Sequence, residues 1–143
     1  MIHSTPNDPR FREVEENVAF QLRFPSGVLA QCSASYGYAD TKRIMVQGSE
    51  AGLTLNPATD YYEHKLTVTK GKIEEEIKVQ EENQFALQMD HLAQSIQEDQ
   101  PPKTPGEEGL QDVRLMQAIY EAARTGRAVK LEPRIPDVVA DAP

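Results

Sequence analysis

The spacing of apolar residues changes period once along this chain, and the order of the two periods constrains the fold more than any other feature. Up to about residue 80, apolar residues alternate with polar ones, the two-residue repeat of strands with one buried face. Val18, Phe20, Leu22 and Phe24 alternate with Ala19, Gln21 and Arg23, and Pro25-Ser26-Gly27 then supplies a tight turn. Val28, Ala30, Cys32 and Ala34 resume the pattern against Gln31, Ser33 and Ser35, which predicts an antiparallel hairpin. A third run over residues 41–47 holds Ile44 and Val46, and the segment 48–52 turns it into Leu53 and Leu55. The turn cluster Asn56-Pro57-Ala58-Thr59-Asp60 precedes Leu66 and Val68, and a Lys70-Gly71 break precedes Ile73, Ile77 and Val79. Six strands in one antiparallel meander are expected. Glu74-Glu75-Glu76 reads as a solvated edge that discourages aggregation, with a functional acidic patch as the lesser alternative.

Beyond that point the period is helical. Phe85, Met89, Leu92 and Ile96 share one stripe that ends at Pro101-Pro102. For a second helix, Thr104 with Glu107 forms a candidate capping box, Pro105 suits the first helical position, and Gly126 can close the end in a left-handed conformation. Its inner face would carry Leu110, Val113, Met116, Ile119, Tyr120 and Ala123, and Val129 with Leu131 would add a short strand. Strands followed by helices predict an α+β fold: an open, mainly antiparallel β-sheet with two C-terminal helices packed on one face. The second sheet face mixes Gln21, Arg23, Gln31 and Ser33 with Ala19 and Leu29, so it is either wet or meets another subunit. The 143 residues suit one domain. Its expected limits are 13–131, after a polar linker or loop at 1–12 and before a Pro-containing loose tail at 132–143.

A net charge of −8 repels phosphate backbones and anionic lipid surfaces, which argues against nucleic-acid and membrane partners and for a small neutral substrate or a protein. Cys32 is the single cysteine, so no intrachain disulfide can form, and no Cys/His set has metal-ligand spacing. No apolar stretch approaches a membrane span and the N-terminus lacks signal-peptide character, so a soluble, cytoplasmic protein is expected. No Gly-x-Gly-x-x-Gly follows a strand, and no Walker loop or Gly-x-Ser-x-Gly elbow occurs, so neither cofactor-binding nor nucleophilic residues are assigned. His3, His64 and His91 are far apart in sequence; Asp90 and His91, adjacent on a helix, point about 100 degrees apart and make a poor dyad. The stretch from Arg10 to Glu16 interleaves opposite charges and reads as a solvated segment. Tyr36-Gly37-Tyr38 is the better candidate for ligand contact, because tyrosines at a strand end offer rings and hydroxyls on which a polyol can stack and hydrogen-bond. Tyr61 and Tyr62 are weaker candidates.

Three stretches together resemble a known family: Phe11 to Glu16, Asn83-Gln84-Phe85 leading to Asp90-His91-Leu92, and Pro105-Gly106-Glu107-Glu108-Gly109 through to Thr125-Gly126. They are similar to the C-terminal domain of the glucose-fructose oxidoreductase (Gfo/Idh/MocA) family over about residues 10–131, with Gln47-Gly48 and Asn56-Pro57-Ala58-Thr59 adding to the likeness. The resemblance implies an N-terminal Rossmann domain that holds NADP or NAD, and an open sheet that forms much of the homo-oligomer interface. It places the catalytic lysine of a Glu-Lys-Pro motif before this segment; the chain has no such motif, and no catalytic residue carries over. Tyr36-Gly37-Tyr38 resembles the stretch of inositol dehydrogenases in which a tyrosine faces the bound polyol, so Tyr36 and Tyr38 are the expected substrate-binding residues. Ala39 intervenes before Asp40 where those enzymes place Asp directly, which leaves the register and the substrate open. The expectation is a sugar- or polyol-facing and oligomerisation domain of an NAD(P)-dependent oxidoreductase, truncated and inactive alone. The alternative is a stand-alone dimerising or binding module with no redox activity.

Overall fold

The computed structural model describes residues 1–131; the tail expected at 132–143 lies outside the described residues. Seven strands and two helices follow one another in the order β1 (Ile2–His3), β2 (Asn17–Arg23), β3 (Leu29–Ser35), β4 (Ile44–Gln47), β5 (Gly52–Asn56), β6 (Lys65–Lys70), β7 (Ile73–Lys78), α1 (Gln84–Gln97) and α2 (Gly106–Thr125). Every ladder is antiparallel, so the fold is α+β with open antiparallel sheets, as the two periods predict. The single meander is replaced by two sheets, β1-β2-β3 and β4-β5-β6-β7. The chain correspondingly divides into two compact units, residues 1–38 with 103 onward, and residues 39–102.

In the first unit the β2–β3 register sets Val18 against Ala34, Phe20 against Cys32 and Leu22 against Ala30, which gathers the apolar half of the alternation on one face. The turn closes through Phe24 N–H to the Val28 carbonyl at 2.9 Å, with Gly27 at φ 90 where a side chain would be strained. Residues 1–12 are more structured than expected. Ile2 pairs with Val18 and His3 with Asn17, and Pro9–Phe11 forms a 3-10 turn capped by Asp8. Two paired residues are too few to show a period, which is why alternation misses β1. No strand forms at Val129 and Leu131, whose segment has no ladder partner.

The second unit stacks Ile44, Leu55, Leu66 and Ile77 in one row across all four strands, with Val46, Leu53 and Val68 beside them. Its other face is polar apart from Met45 on β4, which continues the row of Thr54, Thr67 and Glu76. Helix α1 starts where Asn83 Oδ1 accepts from the Phe85 and Ala86 N–H groups at 3.1 and 3.2 Å. Its Phe85 ring meets Tyr61 edge-on with centroids 5.3 Å apart.

Helix α2, in the first unit, is capped differently from the expectation. Pro105 is itself the N-cap, with no side-chain cap bond, so the Thr104–Glu107 box does not form. Glu107 and Glu108 still oppose the positive helix end and Arg124 the negative one. Gly126 ends the helix at φ 67, its N–H donating to the Ala122 carbonyl at 2.9 Å, as expected. The Tyr120 hydroxyl donates to Glu15, which ties the helix to the segment before β2. The two apolar stripes are less covered than their pattern predicts. No hydrophobic side chain is fully buried among the described residues, and Met116, Met89 and Ile96 are more than half exposed. Among the described residues each unit has one helix, and neither helix packs broadly against a strand, so the expected packing of both helices on one sheet face is not seen.

Candidate functional site

The Tyr36-Gly37-Tyr38 stretch leaves β3 beside Glu16, whose main-chain carbonyl holds its first residue. The register that pairs Asn17 with Ser35 brings Glu16 opposite Tyr36, whose N–H donates to the Glu16 carbonyl at 3.0 Å. The Glu16 side chain, 8% exposed, accepts from the Thr5 N–H and hydroxyl at 2.7 Å each, while its own N–H donates to Ser4 Oγ at 3.0 Å. A Cβ at position 37 would lie 1.8 Å from Glu16 Oε1, so any side chain there would require the Glu16 carboxyl to move. The hydrogen bonds from Thr5, side chain first and then backbone, hold the Glu16 carboxyl below the usual range. Gly37 N–H donates in turn to Ser35 Oγ at 2.9 Å. The rings themselves are free: Tyr36 and Tyr38 are 84% and 74% exposed, and neither hydroxyl has a partner among the described residues. A pinned backbone that carries two unengaged phenols suits stacking and hydrogen bonding to a ligand. Thr5 is eleven residues from Glu16, so no local motif reveals this support.

The second unit holds a polar concavity that the sequence reading missed. Lys42 Nζ lies between two carboxylates, 3.2 Å from Asp40 Oδ2 and hydrogen-bonded to Asp60 Oδ1. Asp60 first and Asp40 second hold the ammonium above its ordinary range. Arg43, Asn56 and Pro57 complete the walls of a cavity of about 290 Å³. The available signal was the Asp-x-Lys-Arg order facing the Asp at the end of the 56–60 turn.

The remaining candidates are dispersed. His64 Nδ1 lies 2.9 Å from the Pro57 carbonyl, a bond that braces the same turn. Tyr61 is engaged with Phe85, and Tyr62 is half-exposed. His91 lies on α1 next to Asp90. No group of three or more His, Cys, Asp or Glu residues among the described residues could hold a metal ion.

A dinucleotide does not fit the described residues. Its pyrophosphate needs a glycine-rich turn from a parallel strand into a free helix N-terminus. Here the ladders are antiparallel, Asn83 already occupies the first N–H groups of α1, and Glu107 and Glu108 would repel phosphate at α2. No helix among them is long and apolar enough to cross a membrane.

Open antiparallel sheets followed by two helices, with a displayed tyrosine pair, define an α+β domain. The sequence profile of the oxidoreductase family, C-terminal alpha/beta domain, matches residues 1–131, and the chain belongs to this Gfo/Idh/MocA family. It is 30% identical over 119 residues to the D-xylose 1-dehydrogenase [NADP(+)] of Haloarcula marismortui, covering 82% of this chain and 33% of that protein. It is 27% identical over 135 residues to D-xylose 1-dehydrogenase (NADP(+)) 2 of Haloferax volcanii, covering 92% of this chain and 41% of that protein. Among solved structures, the aldose-aldose oxidoreductase of Caulobacter crescentus complexed with glycerol superposes with a TM-score of 0.86 at 38% identity, over 92% of this chain and 39% of that one. The chain thus spans a third to two fifths of the length of these relatives.

Proposed function

We propose that this chain is the sugar- or polyol-facing and oligomerisation part of an NADP-dependent oxidoreductase, and that it transfers no hydride alone. The observation that carries the reading is the pairing of identity with partial length. The chain is 30% identical to an enzyme named for D-xylose and NADP(+), yet covers only 33% of it. The misfit of its residues to a dinucleotide supports the same division of labour, with the cofactor held outside this chain. Tyr36 and Tyr38 are the residues proposed to meet the sugar, held by the Glu16 cradle. No described residue is assigned to proton or hydride transfer.

Titration of the chain with NADP(+) and NADPH, followed by nicotinamide fluorescence, tests the proposal together with an assay of D-xylose oxidation. The expected result is no saturable binding at micromolar cofactor and no turnover. Tight NADP(+) binding, or oxidation of an aldose by this chain alone, overturns it.

A further inference from the structure

We propose that the concavity formed by Lys42, Arg43 and the turn from Asn56 to Asp60 is a binding site for a neutral vicinal diol, the group that a small sugar or polyol presents. It rests on the function proposed above for the choice of an aldose as the ligand, and it adds a site that the tyrosine pair does not include.

Charge decides the class of ligand. Two acidic side chains, Asp40 and Asp60, face two basic ones, Lys42 and Arg43, so the formal charges of the walls cancel. A phosphate or carboxylate ligand would meet both aspartates. A divalent cation would have to displace the Lys42 ammonium, which already stands between the two carboxylates. A neutral ligand faces neither opposition.

The unused hydrogen-bonding capacity then specifies what that ligand must offer. Lys42 has three N–H donors and spends two on Asp40 and Asp60. Each carboxylate accepts from Lys42 through one oxygen and keeps the other for a new donor. The Arg43 guanidinium has no ion-pair partner among the described residues, and the Asn56 amide has both a donor and an acceptor to give. A wall that alternates charged donors with charged acceptors matches adjacent hydroxyls, each of which donates once and accepts from a neighbour. Hydrogen bonds to charged groups are the stronger kind and compensate best for a ligand that must shed water.

The walls are also pinned before any ligand arrives. Ala58 N–H donates to the Lys42 carbonyl at 2.6 Å, which ties the turn to the segment entering β4. His64 Nδ1 lies 2.9 Å from the Pro57 carbonyl of the same turn. A volume of about 290 Å³ sits at the small end of ligand pockets, suited to a pentose or smaller polyol.

Isotope-labelled full chain titrated with D-xylose to millimolar concentration, and separately with inorganic phosphate and with magnesium chloride, tests the assignment by NMR. Saturable shifts of the Lys42, Asn56 and Asp60 signals with xylose alone are expected. Asp60→Asn should weaken that binding at least tenfold. Arg43→Ala should weaken it as well; this residue has no ion-pair partner to lose, so its amide spectrum should otherwise match the wild type. Signals that ignore xylose, that answer to phosphate or magnesium instead, or that saturate equally in both variants overturn the site. Such a result leaves the proposed function standing, since that reading is tested separately by NADP(+) binding, by turnover and by self-association of the chain.

Discussion

Glu16 illustrates how one side chain can set the shape of a site it never enters. Its carboxylate fills the volume beside Gly37 and is held there by two bonds from Thr5, so the exit from β3 and the N-terminal segment share one support. Gly37→Ala should force that carboxylate to move, weaken both Thr5 bonds and lower the melting temperature by several degrees. Amide exchange at Thr5 and His3 should accelerate; unchanged exchange would refute the coupling. The pH dependence has a definite sign. Glu16 titrates lower when folded, so its contribution to stability is present above the unfolded value of about 4.3 and is lost as pH falls through the lower folded value. Glu16→Gln should therefore flatten the acid limb of a thermal-melt series below about pH 4.3 and show less pH dependence there than the wild type. Tyr36-Gly37-Tyr38 was legible as a candidate because it follows an alternating strand. Glu16 was not, because its partners come from a segment whose pairing has no periodic signal.

At the scale of elements, alternation located every strand with four or more residues, and the helical period located both helices. The capping chemistry was less legible, because Ser, Thr, Asn and Pro all suit several positions around a helix start. Asn83 and Thr104 separate the two outcomes. Asn83→Ala should cost about 1 kcal/mol, since Asn83 Oδ1 serves the Phe85 and Ala86 N–H groups. Thr104→Ala should cost nothing measurable, because no side-chain bond caps α2. Chemical denaturation followed by circular dichroism distinguishes them, and a Thr104 loss equal to that of Asn83 would restore the capping box. Gly126→Ala should cost about 1 kcal/mol in the same assay, because its φ of 67 is a conformation that alanine resists. The division into two sheets was not legible: periodicity marks which residues face together along a strand but carries no information on which strands share a ladder.

For the whole molecule, the exposed apolar residues and the partial coverage of its relatives point the same way. Leu29 is 58% exposed at the hairpin end of β3 on the mixed face with Ala19 and Ser33, and Met116 is 57% exposed on α2. Surfaces of this kind in a folded protein usually meet a partner. The proposed assembly uses the sheet face, where self-complementary pairing of the same patch on two copies gives a closed dimer. Sedimentation at micromolar concentration should therefore show a dimer or larger species. Leu29→Glu places a charge on that face and should weaken self-association at least tenfold, about 1.4 kcal/mol. Met116→Glu changes apolarity equally on the helix and should leave the dissociation constant within about threefold of the wild type, under 1 kcal/mol. A chain that sediments only as monomer, or that loses its dimer to Met116→Glu and not to Leu29→Glu, refutes assembly through the sheet.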